Sequence, residues 1–222
     1  AEELAGRMHL SAEDTDLARL IALLHDIGRF EQLKRYDSFE PGTMDHAAYG
    51  VKVLFDEGMI RRFLPDDKWD SIIYTAIAHH SDYELPEISD PQTLLHAKLI
   101  RDEDKLDNCR VKLVDSTSTF INVSEEELGT QNITQKVYET VFKNKCILSA
   151  DRVTQMDYWV SYIVYFFDIN FKESFDIIAE NDYLNRIIDR IPYSNPVTKE
   201  QMENIRVYMQ NFINSHTNSQ SF

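Results

Sequence analysis

The sequence predicts an all-α protein, and three observations carry that reading. Glycine and proline number only six each in 222 residues, too few chain-breakers for a sandwich or barrel of many short strands. Hydrophobic residues make up 43% of the chain, enough for a buried core and too many for a disordered one. In the segments taken up below, apolar residues recur at three- and four-residue steps, the period of an amphipathic helix.

Residues 1–8 read as the tail of a helix. Ser11 is a candidate N-cap, with Asp14 at the third position of a weak capping box. Leu17, Leu20, Ile21, Leu24 and Ile27 follow at helical spacing, and Gly28 suits the left-handed residue that closes a helix. His25 and Asp26 then fall in the last turn. Residues 29–42 read as a loop ending at Pro41-Gly42. A second helix starts near Thr43 and runs to about Glu57. Ala47, Val51, Leu54 and Phe55 mark its apolar side, and His46 shares a face with Gly50, which would let another backbone come close. A third helix runs from about Asp67 to His80, and both His79 and His80 continue its buried stripes. Asp90-Pro91 opens a fourth, N-cap followed by a proline at the first helical position. On it Ala97, Ile100, Asp104 and Asp107 share one face.

Beyond Arg110 the pattern changes. Val111–Val114 and Thr119–Ile121 read as short strands or loop. Ser124 with Glu127 opens a helix to about Lys143. Residues 151–168 form an aromatic-rich helix, and its stripe of Tyr158, Trp159, Tyr162, Tyr165, Phe166 and Phe167 reads as core rather than a cofactor box. Residues 171–191 read as one or two helices, Thr198 with Gln201 caps a last helix, and 215–222 is a polar tail. No repeat or low-complexity linker divides the chain. Residues 1–110 therefore hold the ligand-rich pattern, and 111–222 read as a helical extension packed on the same body.

The formal charge of −15 repels nucleic-acid backbone and anionic membrane, so neither is expected as a partner. A small anionic substrate stays open, because a bound divalent cation reverses the field locally; so does a homo-oligomer. The two cysteines, Cys109 and Cys146, lack CxxC spacing and fit a reducing cytoplasm. The densest apolar run, Tyr158–Phe167, is too short to span a bilayer, and no signal peptide is evident. The chain opens Ala-Glu-Glu-Leu without an initiator Met, as though inside a helix.

Each candidate ligand has a plain alternative when taken singly. His25 could be a core histidine beside an exposed Asp26, and His46 a solvated first-turn residue. One of His79-His80 could be a core histidine, and Arg101-Asp102-Glu103-Asp104-Lys105 a solvated helix end. That last alternative suits Asp102 and Glu103 better than Asp104. Together the groups point to a cation, because carboxylates and imidazoles ending apolar faces are costly to bury without one. Nitrogen and oxygen donors with no thiolate suit one or two divalent ions such as Fe, Mn, Zn or Mg, not a cysteine-based zinc site.

The ordered set resembles the HD-domain superfamily of metal-dependent phosphohydrolases. It runs Leu24-His25-Asp26-Ile27-Gly28 with a basic residue next, then His46-x-x-x-Gly50, Ala76-x-x-His79-His80 and Asp104-Lys105-x-Asp107. The HxxxG and the downstream histidines are similar to the two-metal, HDIG-type members. The resemblance covers about residues 1–110 and implies an HD-domain helical bundle. It implies hydrolysis of phosphate esters or anhydrides, on a nucleotide substrate, by metal-activated hydroxide. His25 and Asp104 would hold one metal, Asp26 would bridge, and His46 with His80 or His79 would hold the second. Asp26 and Arg29 would be the catalytic pair, Arg29 near the substrate phosphate. The family's first histidine has no match: His9 lies too near His25, which places that ligand upstream of Ala1. Ser81-Asp82-Tyr83-Glu84 replaces a Gly-Tyr-Pro segment, which argues against cyclic-di-GMP turnover. The alternatives are a catalytically silent regulatory module and an HD-type di-iron oxygenase.

Overall fold

The computed structural model describes residues 1–38 and 42–217. Phe39, Glu40 and Pro41, and residues 218–222, lie outside it, and with them part of the expected turn at Pro41-Gly42 and the end of the polar tail. The described residues are helical with no β-strand. The chain forms two compact units, Ala1–Asp104 and Lys105–Phe222.

In the first unit, α1 (Glu2–Arg7) is followed by α2 (Ala12–Leu24). Ser11 caps α2 by accepting from the Asp14 amide at 3.0 Å. Leu17, Ile21 and Leu24 line the inner face of α2 as their spacing requires. The helix does not end in a left-handed glycine. Tight turns carry the backbone through His25 and Asp26, with Ile27 N–H bonding Leu24 O at 3.0 Å and Arg29 N–H bonding Asp26 O at 2.9 Å.

Gly28 opens α3 (Gly28–Tyr36), where a loop was expected. Its role is close approach. A Cβ there would lie 2.0 Å from His46 O and 2.9 Å from Gly50 N, so only glycine lets this turn lie against α4 (His46–Val51). Gly50 lies on the other side of the same contact, where a Cβ would sit 3.3 Å from Ile27 Cγ2 and 3.5 Å from Gly28 N. The cap of α4 is Asp45 rather than Thr43, accepting from Ala48 N–H at 2.9 Å. The expected helix to Glu57 continues from α4 as a π turn over Lys52–Asp56, closed by left-handed Gly58 at φ 73°.

Helix α5 (Asp70–Ala78) is shorter than expected, so His79 and His80 lie in the turn that follows it. Ile72, Ile73, Ala76 and Ile77 join α2 and α4 in the core. Helix α6 (Pro91–Val114) begins at the expected place, with Asp90 accepting from Thr93 N–H at 2.7 Å. It continues through 111–114, expected as strand or loop. Asp102 and Glu103, taken as candidates for a solvated end, are buried.

In the second unit, α7 (Thr117–Ile121) replaces the second strand-or-loop segment, and the helix expected from Ser124 to Lys143 is two, α8 (Glu125–Leu128) and α9 (Gln135–Val141). The aromatic segment forms α10 (Gln155–Val164) and a 3-10 turn, with a Thr154–Asp157 capping box. Trp159 and Phe166 are core, as expected. Two helices, α11 (Lys172–Glu180) and α12 (Tyr183–Asp189), precede α13 (Pro196–Thr217). Asn195 caps α13, while Thr198 is buried with its hydroxyl donating to Gln131 O at 2.7 Å. Among the described residues no helix is long and apolar enough to cross a membrane.

Candidate metal centre

The centre lies in the first unit, where the C-terminal ends of α2 and α5, the start of α4 and the middle of α6 bring their polar residues together. Asp26 is its hub. Its Oδ1 lies 3.3 Å from His46 Nε2 and 3.6 Å from His80 Nε2, and its Oδ2 lies 3.6 Å from His25 Nε2. His25 Nε2 is also 3.8 Å from Asp104 Oδ1. The His46 and His80 Nε2 atoms are 3.0 Å apart. His25, Asp26 and His80 each offer a ligand atom within 4.8 Å of the others.

Two rings are locked by their own helices. His25 Nδ1 lies 2.9 Å from Ala22 O and His80 Nδ1 lies 2.7 Å from Ile77 O. A carbonyl oxygen can only accept, so both Nδ1 atoms carry the proton. In the neutral rings the lone pairs are then on Nε2, facing Asp26, which is how metal-binding imidazoles are held. His25 Nε2 is buried with no hydrogen-bond partner. A buried imidazole nitrogen with no hydrogen-bond partner among carboxylates and imidazoles has the chemistry of a divalent-cation ligand, so the donor set fits a metal.

The electrostatics agree. Burial alone would lower the His25 pKa, but Asp104 and Asp26 outweigh it and raise it to about 9. Burial would raise the Asp26 pKa, yet His80, His25, Arg29 and His46 hold it well below the usual carboxylate range. His46 falls to about 4 through burial, then the charges of Arg29 and His80. The imidazoles form the floor, His46 and His80 being buried. The carboxylates face water, with 44% of the Asp26 side chain and 34% of Asp104 exposed.

Arg29 stands beside this cluster, its Nε 3.4 Å from Asp26 Oδ1. The structure thus brings together His25, Asp26, Arg29, His46, His80 and Asp104. His79 is outside the cluster: its Nδ1 lies 2.7 Å from Asp82 Oδ2. Asp107 pairs with Arg110 at 2.7 Å. His9 is exposed at φ 53° in the link between α1 and α2.

Two supporting residues escaped the sequence reading. Arg101 is buried on α6 and donates to His79 O at 3.0 Å and Asp82 O at 2.7 Å, holding the turn that carries His80. Its place three residues before Asp104 was the available signal. Gln32 is buried on α3, accepting from Arg29 Nη1 at 2.9 Å; it stands four residues after Gly28, on the same face.

The first unit is all-α and carries a cluster of imidazoles and carboxylates with the donor atoms to hold a metal. Residues 1–109 match the family model of the HD domain. Residues 1–109 are thus an HD domain, a family whose members are typically metal-dependent hydrolases. No curated protein and no solved structure matches the chain.

Proposed function

We propose that this protein is a metal-dependent phosphohydrolase acting on phosphate esters or anhydrides, with a nucleotide as the substrate class. The observation that carries the reading is the division of Asp26 between two groups of ligands. Oδ2 faces His25, which adjoins Asp104, and Oδ1 faces His46 and His80. One carboxylate can therefore serve two ions. A pair of divalent ions so held supplies Lewis acidity and lowers the pKa of bound water, which is what attack at phosphorus needs.

The chain's own residues do the rest. Arg29 holds positive charge at the edge of the carboxylates, in a protein of formal charge −15 that would otherwise repel a phosphate. The exposed edges of Asp26 and Asp104 leave the centre open to substrate and water, while the buried imidazoles behind them keep their orientation. Cys109 and Cys146 form no disulfide among the described residues, which suits a reducing compartment.

Elemental analysis of the purified protein tests this, followed by a screen of p-nitrophenyl phosphate, its bis-ester and nucleotides. About two equivalents of Fe, Mn or Zn with phosphate release are expected. Asp26→Ala is expected to lose metal and turnover together. A variant that keeps both overturns the two-ion reading. No metal after reconstitution moves the assignment to a regulatory module, and oxygen-dependent turnover at a di-iron centre to an oxygenase.

A further inference from the structure

Helix α3 does not bury its apolar side chains. Phe30 is 78% exposed, and Leu33 and Tyr36 are exposed with it, while Gly28 and Gln32 face inward. Gly28 explains why α3 lies close to α4. It does not explain why an amide, rather than an apolar residue, fills the next turn. A side-chain amide at 0% exposure must have its polar atoms satisfied. Gln32 does this by linking two places. Its Oε1 accepts from Arg29 Nη1 at 2.9 Å, and its Nε2 donates to Thr43 Oγ1 at 2.8 Å. Arg29 turns Nε toward Asp26, and Thr43 stands three residues before His46. The third guanidinium nitrogen, Nη2, has no partner among the described residues, and 31% of the side chain is exposed.

We propose that Gln32 is a positioning residue. It fixes the Arg29 guanidinium beside Asp26, with Thr43 as its backstop, so that Nη2 is presented to a phosphate group. The proposal rests on the phosphohydrolase reading. An arginine that binds an anion normally loses rotamer freedom as it does so; one fixed by a buried acceptor has lost that freedom on folding, and its affinity is higher for it.

A double-mutant cycle on the full, metal-loaded chain tests this, with inorganic phosphate as the probe and calorimetric affinity as the readout. Gln32→Met keeps the volume and removes the acceptor. It is expected to weaken phosphate binding about tenfold with metal stoichiometry unchanged, and to have no further effect in an Arg29→Ala background. A second readout needs no metal: the Arg29 Nε–H resonance is expected to be sharp and slowly exchanging in the wild type and broadened in Gln32→Met. Thr43→Val, at a half-buried position, is expected to act in the same direction more weakly, and keeps the test alive if Gln32→Met does not fold. Equal losses in the wild-type and Arg29→Ala backgrounds overturn the proposal. So do variants with wild-type phosphate affinity and an unchanged Arg29 signal; the phosphohydrolase reading survives that result. A wild-type protein that takes up metal and binds no phosphate overturns both.

Discussion

His25 and His46 sit on opposite sides of Asp26 and titrate in opposite directions. The ordinary imidazole value is 6.5; His25 is raised to about 9 and His46 lowered to about 4. In the metal-free protein a raised pKa contributes stability that is full below 6.5 and lost as pH rises through about 9. A lowered histidine contributes stability that is full above 6.5 and lost as pH falls toward about 4. Thermal unfolding against pH is therefore expected to show stability declining on both sides. His25→Asn should remove the alkaline decline and His46→Asn part of the acid one. The same proton on His25 competes with metal, so metal affinity is expected to climb with pH until about 9, with proton release on binding. A flat affinity from neutrality to that point would sink the assignment of His25 as a ligand. His79 and His80 are equivalent by spacing, but a ring's direction depends on the turn after α5, which Arg101 sets from α6.

At the scale of elements, two contacts hold the ligands in register. The first is the approach of α3 to α4 through Gly28. Gly28→Ala would drive a Cβ into the His46 carbonyl, 2.0 Å away. The expected cost is about 3 kcal/mol by urea unfolding, with weakened metal binding because His46 moves with its backbone. The second is Arg101, whose guanidinium satisfies carbonyls left bare at the end of α5. Arg101→Met is expected to destabilise by about 2 kcal/mol or more and to lower metal content; full metal content would show that the His80 turn holds itself. The helices that were legible announced themselves by local chemistry: Ser11 and Asp90 as caps, Leu17, Ile21 and Leu24 as a stripe. Helix α3 was not, because Phe30, Leu33 and Tyr36 point outward and a search for a buried apolar face finds none there.

At the scale of the molecule, each unit has its own core, one built on Ile21, Leu54, Ile73 and Ile77, the other on Trp159, Ile163, Ile187 and Ile205. The family match ends at residue 109, inside α6. The candidate ligands come from four helical segments that are distant in sequence, so a metal bound to them links segments that unfolding separates. Metal at one hundred times its Kd is expected to add about 2.7 kcal/mol to stability, and a chelator to remove it. Hydrogen exchange should place the gain around His25, His46, His80 and Asp104. Metal-independent unfolding would be incompatible with a site drawn from all four.

What the sequence by itself determined was the helical class, the caps and the ordered set of imidazoles and carboxylates, because these depend on neighbours within a turn or two. The tertiary structure alone decided that His80 and not His79 joins Asp26, that Gly28 serves contact and not chain reversal, and that Gln32 and Arg101 support the site. Each of those depends on a partner tens of residues away or on which face of a helix turns inward, and helical periodicity is blind to both.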